Sequence, residues 1–257
     1  VEEQFIPHIS SETKTTLRRR LMKLRTRVVM QLAALCLATV ASSFAANNAY
    51  INFVNAIPGL DIAGNVSPAY PIDVLISGTC IPRNLAYGTV GGPYSFSPGT
   101  YDVQISEANT LAPCTNPTIA SLSVTLAAGT TVSAVATLSA GQPTLLQFSN
   151  ELGKVTAGNA RFVFSQSAEA GTLEATLTQV GVSKPKTYTV TAAAGKDEET
   201  TVPAGTYLVQ IFVSGGSTVL TSETIILPAQ SATFSYASGE TSNSSIGLIN
   251  KTVDGLF

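Results

Sequence analysis

The pattern Gly-Thr-Tyr-x-Val-Gln-Ile occurs twice, as Gly99–Ile105 and Gly205–Ile211, 106 residues apart. In each copy Tyr, Val and Ile alternate with polar or outward residues, a period of two that belongs to a half-buried β-strand and not to a helix. Pro98 and Pro203 stiffen the approach, and Gly99 and Gly205 are expected to take a positive φ in the turn. Tyr101 and Tyr207 then open the buried face, their hydroxyls reaching back to backbone at the rim of a sandwich. The alternative, a sugar-stacking tyrosine, conflicts with a parity shared with the core-facing Val and Ile.

The same alternation runs through the chain from Tyr50 onward. Ile51 and Phe53, then Ile72, Val74 and Ile76, then Leu122, Val124 and Leu126, then Val132, Ala134, Ala136 and Leu138 each line one face. A second series repeats the order: Ala160–Phe164 answers Ala49–Phe53, Leu173, Ala175 and Leu177 answer the Ile72 strand, and Ser244–Asn250 answers Thr144–Asn150. Two units of sandwich size, joined near Asn150–Asn159, are expected, and two copies are too few for a solenoid. The expected fold is all-β: two tandem immunoglobulin-like or prealbumin-like antiparallel β-sandwiches, spanning 46–150 and 151–257, after a cleavable N-terminal signal peptide.

That signal occupies residues 1–45. Arg18, Arg19, Arg20, Lys23, Arg25 and Arg27 form a basic stretch, Val28–Val40 is apolar, and Ser43-Phe44-Ala45 supplies the small residues of a cleavage site. The cut is expected between Ala45 and Ala46. The apolar run is short for a bilayer span, so the mature chain is expected to have no transmembrane segment. The chain opens with Val1, and Met22 offers an alternative start that would leave a signal of ordinary length. With the longer form, Arg18-Arg19-Arg20-Leu21-Met22-Lys23 resembles a twin-arginine signal. The expected location is therefore exported: periplasm, cell surface or extracellular medium.

Beyond residue 45 there are seven basic and thirteen acidic residues, a surface that disfavours nucleic acid and anionic lipid as partners. Only Cys80 and Cys114 remain there, and in an oxidising compartment they are expected to form a disulfide. A redox or metal-binding thiol pair would want a C-x-x-C spacing or a histidine beside it.

Phe53-Val54-Asn55-Ala56-Ile57-Pro58, Ile72-Asp73-Val74, Leu85-Ala86-Tyr87-Gly88-Thr89-Val90, the Pro-Gly-Thr-Tyr strand and Leu126-Ala127-Ala128-Gly129-Thr130 follow one another over residues 49–150. In this order and spacing they resemble the bacterial domain of unknown function 4397. Residues 160–250 resemble a diverged second copy, in which the Leu-Ala-Tyr-Gly element is missing and Ala-Ala-Gly-Thr has become Pro228-Ala229-Gln230-Ser231. The resemblance implies an exported envelope protein and brings no catalytic residue, metal ligand or cofactor with it.

The only histidine, His8, lies before the expected cleavage site, so a mature chain has no Ser-His-Asp triad, Cys-His dyad or His-ligated zinc. No catalytic, cofactor-binding or metal-binding residues are assigned. Asp73 and Asp102, both at outward parity, are the carboxylates a glycosidase would need, and such a hydrolase is the alternative to the leading expectation. Lys196-Asp197-Glu198-Glu199 reads as a solvated hairpin tip. Lys154 or Lys184 with Asn250 is the pairing an intramolecular isopeptide would use. A transmembrane barrel is disfavoured by the missing Trp and sparse aromatics. The leading expectation is a non-enzymatic binding, adhesion or structural module meeting an unknown protein or glycan at the cell surface; a fibre subunit is a third class. Loops Asp61–Tyr70 and Ala108–Pro117 are the candidate contact regions, and Phe212 either marks an inter-domain or partner surface or covers its own second sheet.

Overall fold

A computed structural model describes residues 48–60, 66–67, 71–150, 152–242 and 244–256. The expected signal peptide, its Ala45/Ala46 junction and most of the loop Asp61–Tyr70 lie outside these residues. All regular structure among them is β-strand.

The first series is β1 (Ala49–Asn55), β2 (Gly59–Leu60), β3 (Val66–Ser67), β4 (Ile72–Ile76), β5 (Thr79–Cys80), β6 (Val90–Phe96), β7 (Gly99–Glu107), β8 (Thr118–Leu126), β9 (Thr131–Ser139) and β10 (Gln142–Asn150). The second is β11 (Asn159–Gln166), β12 (Leu173–Gln179), β13 (Thr187–Ala192), β14 (Asp197–Pro203), β15 (Gly205–Val213), β16 (Val219–Leu227), β17 (Ala232–Ser238) and β18 (Gly247–Val253). Each series makes two four-stranded sheets. The first gives β5-β4-β7-β8 and β10-β9-β1-β6, the second β13-β12-β15-β16 and β18-β17-β11-β14. One parallel pair, β1–β9 or β11–β17, sits inside each otherwise antiparallel sandwich.

Each sandwich has its own core between its sheets. Ile51, Phe53, Val74, Val103, Ile105, Val124 and Ala134 belong to the first, and Phe162, Phe164, Ala175, Leu177, Val209 and Ile211 to the second. Ile72, Val74 and Ile76 face Glu107, Ile105 and Val103 across the sheet, and Leu173, Ala175 and Leu177 face Val213, Ile211 and Val209 in the same relation. The expected match of these strands therefore holds residue for residue. The match of Asn250 to Asn150 does not: Asn250 faces Ser235, and in the first sandwich the place facing Ala134, the counterpart of Ser235, is taken by Gln147.

A third core joins the two sandwiches. Val54, Ala56, Val135 and Phe148 of the first pack on Val163, Ala232, Phe234, Tyr236 and Ile249 of the second. The central strands of the β10-β9-β1-β6 and β18-β17-β11-β14 sheets are thus buried on both faces, which is why β9 is buried from Thr131 to Leu138 and β17 along its whole length. At the centre of this interface the Tyr236 hydroxyl lies 2.6 Å from Ser133 Oγ, and Asn150 Nδ2 donates to the same Ser133 oxygen at 2.8 Å. Phe148 packs edge-on against the Tyr236 ring. Burial of a polar side chain among apolar layers is tolerated because each hydroxyl has a partner. Residues Asn48–Phe257 accordingly form one compact unit.

Phe212 has no part in that interface. It is half-buried on the outer β13-β12-β15-β16 sheet, opposite Glu174 and Val219. The acidic run is also placed differently from expectation: Asp197, Glu198 and Glu199 lie within edge strand β14, opposite Ser165, Phe164 and Val163, and Glu199 reaches Arg161 Nε at 3.4 Å. A charged edge strand resists addition of a further strand.

The repeated phrase has the expected tyrosine geometry and a different glycine role. Tyr101 donates to the Ser97 carbonyl and Tyr207 to the Pro203 carbonyl, both at 2.7 Å. Gly205 has no positive φ, and Gly99 at 159° is close to fully extended backbone. Both glycines instead lie beside the ring of the tyrosine two residues on, where a Cβ would stand 3.7 and 3.9 Å from it.

Candidate functional site

Asp73 organises one end of the first sandwich. It sits on β4 between Ile72 and Val74, and its side chain is only 1% exposed, so the outward, solvated position expected for it is not what the structure shows. Its Oδ1 accepts the Asn84 N–H at 2.8 Å. Its Oδ2 accepts the N–H groups of Asn109 at 3.0 Å and Cys114 at 2.8 Å. Burial acts to raise the carboxyl pKa, but the Cys114, Asn109 and Asn84 donors and the nearby Arg83 together outweigh it, leaving Asp73 below the ordinary carboxylate value. Asp73 pairs with Ser106, four positions along β7 from Asp102, a separation of roughly 13 Å at strand rise. Asp102 is exposed and accepts Gln104 Nε2. The two acids are therefore not neighbours, and three backbone N–H groups already occupy most of the acceptor sites of Asp73.

The loop from Ala108 to Pro117 is held on this carboxylate. Cys114 is bonded to Cys80 at the β4–β5 hairpin, with Cα atoms 5.9 Å apart. Asn109 Oδ1 accepts the N–H groups of Leu111 and Ala112 at 3.1 and 3.0 Å, and its Nδ2 donates to Thr115 Oγ1 at 3.2 Å. Thr115 Oγ1 donates to the Ala112 carbonyl, and Asn116 Nδ2 to the Glu107 carbonyl. The backbone is thereby fixed at several points, yet Leu111 at its tip is 96% exposed. A large aliphatic side chain fully in water on an ordered loop is the unusual feature of this end. Residues 108–150 contain no charged side chain at all, so the loop and the strands after it present hydroxyls, amides and apolar groups only.

A second anchor uses Asn55, at the end of β1. Its Nδ2 donates to the Leu85 carbonyl and its Oδ1 accepts the Ile57 N–H, while its backbone bonds Gly88 and Thr89. Asn55, Asp73 and the Leu85–Thr89 segment, quoted above for a resemblance, are thus connection-holding residues. The second sandwich has no counterpart of the disulfide, and Glu174 stands where Asp73 would be.

Two open clefts lie elsewhere among the described residues. One of about 550 Å³ lies beside β8 and β10, lined by Thr125, Thr130, Gln147, Ser149 and Leu152. One of about 450 Å³ lies between the sandwiches, bordered by Thr137, Thr144, Ser167, Glu169 and Gly195. Neither brings together two carboxylates among its described lining residues. Asn250, considered for an isopeptide, donates to Glu223 Oε2 at 2.9 Å and accepts the Ser235 hydroxyl, and no lysine takes part in these bonds.

Residues 49–176, from β1 into β12, match the model of a domain of unknown function, DUF4397. No curated protein matches the chain. Among solved structures, a candidate cell adhesion protein from Bacteroides uniformis is 10% identical, with 80% of this chain and 98% of that one covered and a TM-score of 0.28. A candidate cell adhesion protein from Bacteroides fragilis is 12% identical, with 81% and 98% covered and a TM-score of 0.26. The TIE protein of Bacillus anthracis is 9% identical with a TM-score of 0.23, and the aligned part of this chain, 76% of it, spans about a third (32%) of that protein.

Proposed function

We propose that this is an exported, non-enzymatic β-sandwich module of the cell envelope that binds an uncharged partner surface through the loop 108–117. The observation that carries the reading is Leu111, 96% exposed on a loop whose backbone is tied to Asp73, Cys80 and the Asn109 side chain. Ordering such a loop in advance removes an entropic cost from binding, and a projecting aliphatic group is the anchor that binding would bury. The absence of charge over residues 108–150 favours a glycan or an apolar protein surface over an ionic partner.

The reading extends to the chain's organisation. Residues 1–45 act as a signal peptide cut between Ala45 and Ala46, and residues 151–257 are a diverged second copy of the domain in residues 46–150. The identical strand orders of the two sandwiches and the equivalent placing of the two Gly-Thr-Tyr strands support the second statement. The N-terminus of the protein purified from its own cells tests the first: Edman sequence beginning at Ala46 is expected, and one beginning upstream of Val28 refutes the cut.

For binding, protein-coated beads on intact bacterial cells and a glycan array are the probes. Leu111→Asp should abolish retention on whichever surface holds the parent protein, with an unchanged melting temperature. Retention that Leu111→Asp leaves intact, or turnover of a glycoside panel by the parent protein, overturns the reading.

A further inference from the structure

The outer sheets of the two sandwiches end in equivalent nine-residue edge strands, β8 and β16. The register equates their central residues: Leu122 faces Val103 on β7, and Glu223 faces Val209 on β15. Glu223 shares the inward parity of the buried Ile225 and Leu227 and is held there by Asn250 Nδ2. A charge on the inward row of an edge strand prevents another strand from adding, because pairing would bury it. β8 has no such device. Leu122 occupies that place, partly buried with Ile119 and Ala120 against the first core, and Thr118–Leu126 contains neither charge nor proline.

We infer that β8 is a self-association edge, pairing antiparallel with β8 of a second copy of this chain about Leu122, so that the β5-β4-β7-β8 sheet continues across a twofold axis. The strand is complementary to itself in this register. Ala120 would meet Val124 on the inward row, and the exposed Ser121 would meet the exposed Ser123 on the outer row. The same operation on β16 would set Glu223 against Glu223, like charges directly opposite. A charged foreign strand finds no counter-charge on β8, whereas a second β8 needs none. The twofold pairing uses the backbone groups that β8, as the end strand of its sheet, does not hydrogen-bond to a second strand. It leaves the loop 108–117 as the place of partner binding and does not depend on that reading.

Sedimentation equilibrium of the protein purified from its own cells tests the pairing. The parent protein is expected to be a dimer in the micromolar range. Ser123→Lys, an exposed position outside the core, should raise the dimer dissociation constant by about tenfold or more with no change in melting temperature. Leu122→Glu, which copies the β16 arrangement, should also raise the dissociation constant, with a lower melting temperature because Leu122 packs against the first core. Glu223→Leu should open the second edge and give assemblies larger than the dimer. A parent protein that stays monomeric, a dimer that Ser123→Lys leaves as tight, or a monomer whose β8 instead captures the strand of a different protein each overturns the homotypic pairing. If Ser123→Lys monomers still bind the Leu111-dependent surface, the two sites are separate.

Discussion

Replacing Asp73 by Asn removes one charge and one acceptor while keeping the shape of the side chain. Oδ2 accepts from Asn109 and Cys114 together, and an amide nitrogen in that place would turn two donors toward a third. The flipped amide satisfies those two and confronts the Asn84 N–H instead. Hydrogen bonds to a charged acceptor contribute about 1.5–3 kcal/mol each, and at least one part-buried donor loses its acceptor in either orientation. A loss of about 2–3 kcal/mol is therefore expected. The sign of the pH dependence follows from the lowered pKa of Asp73. The unfolded carboxyl titrates near pH 4. The contribution is thus complete above that pH and is lost as pH falls through the lower folded-state value. Urea melts of parent and Asp73→Asn between pH 7 and 2 would show the difference shrinking toward zero in acid. A loss within about 1 kcal/mol at pH 7, or a gap that does not close in acid, refutes the anchoring role.

Two further outcomes follow from the buried tyrosines. Tyr236 is pushed up to about 12 by burial, against the opposing hydrogen bonds of Ser133 and Asn150. Neutral Tyr236 is therefore favoured in the fold: its contribution is intact below about pH 10 and declines by up to roughly 3 kcal/mol as pH rises to 12. Ultraviolet titration should show one phenol ionising only with alkaline unfolding, and Tyr236→Phe should flatten that stability decline at a cost of about 1–2 kcal/mol at neutral pH. Tyr207→Phe should cost about 1 kcal/mol and Tyr101→Phe less, since Tyr207 is wholly buried and its oxygen also accepts Gln179 Nε2 at 3.3 Å. Thermal melts of the two single variants compare them directly.

Much of the fold was readable because a half-buried strand writes its parity into the chain. Ile72, Val74 and Ile76, or Leu173, Ala175 and Leu177, alternate with polar residues, and the register of β4 and β12 follows from that alternation alone. The tyrosine hydroxyls at the rim were readable for the same reason. The carboxylate of Asp73 was not. Its parity is that of an outward residue, and what buries it is the return of the 84 and 108–117 loops, contacts 11, 36 and 41 residues away in sequence. The signal available was local: Asp is disfavoured in a strand, and one placed between Ile72 and Val74 needs a reason.

The interface between the sandwiches shows a deeper limit, and also the way past it. Alternation marks one face as buried only because the other face carries groups that water solvates. On β9 the second face is Ser133, Val135 and Thr137, and on β17 it is Phe234 and Tyr236, with no charge on either. Such a strand is close to apolar or small throughout, which is the composition of a sheet covered on both sides. Position by position, Ser133 is as compatible with solvent as with a buried partner. Tyr236, arriving from more than a hundred residues away at 2.6 Å, and Asn150 at 2.8 Å together make it interior. The same reasoning applies to β8. Its uncharged sequence carries no mark that solvent is its permanent neighbour, while β16, in the same place, is marked by Glu223. Where two sandwiches of one chain differ in the charge of an otherwise equivalent edge strand, the uncharged strand is the one able to accept a covering.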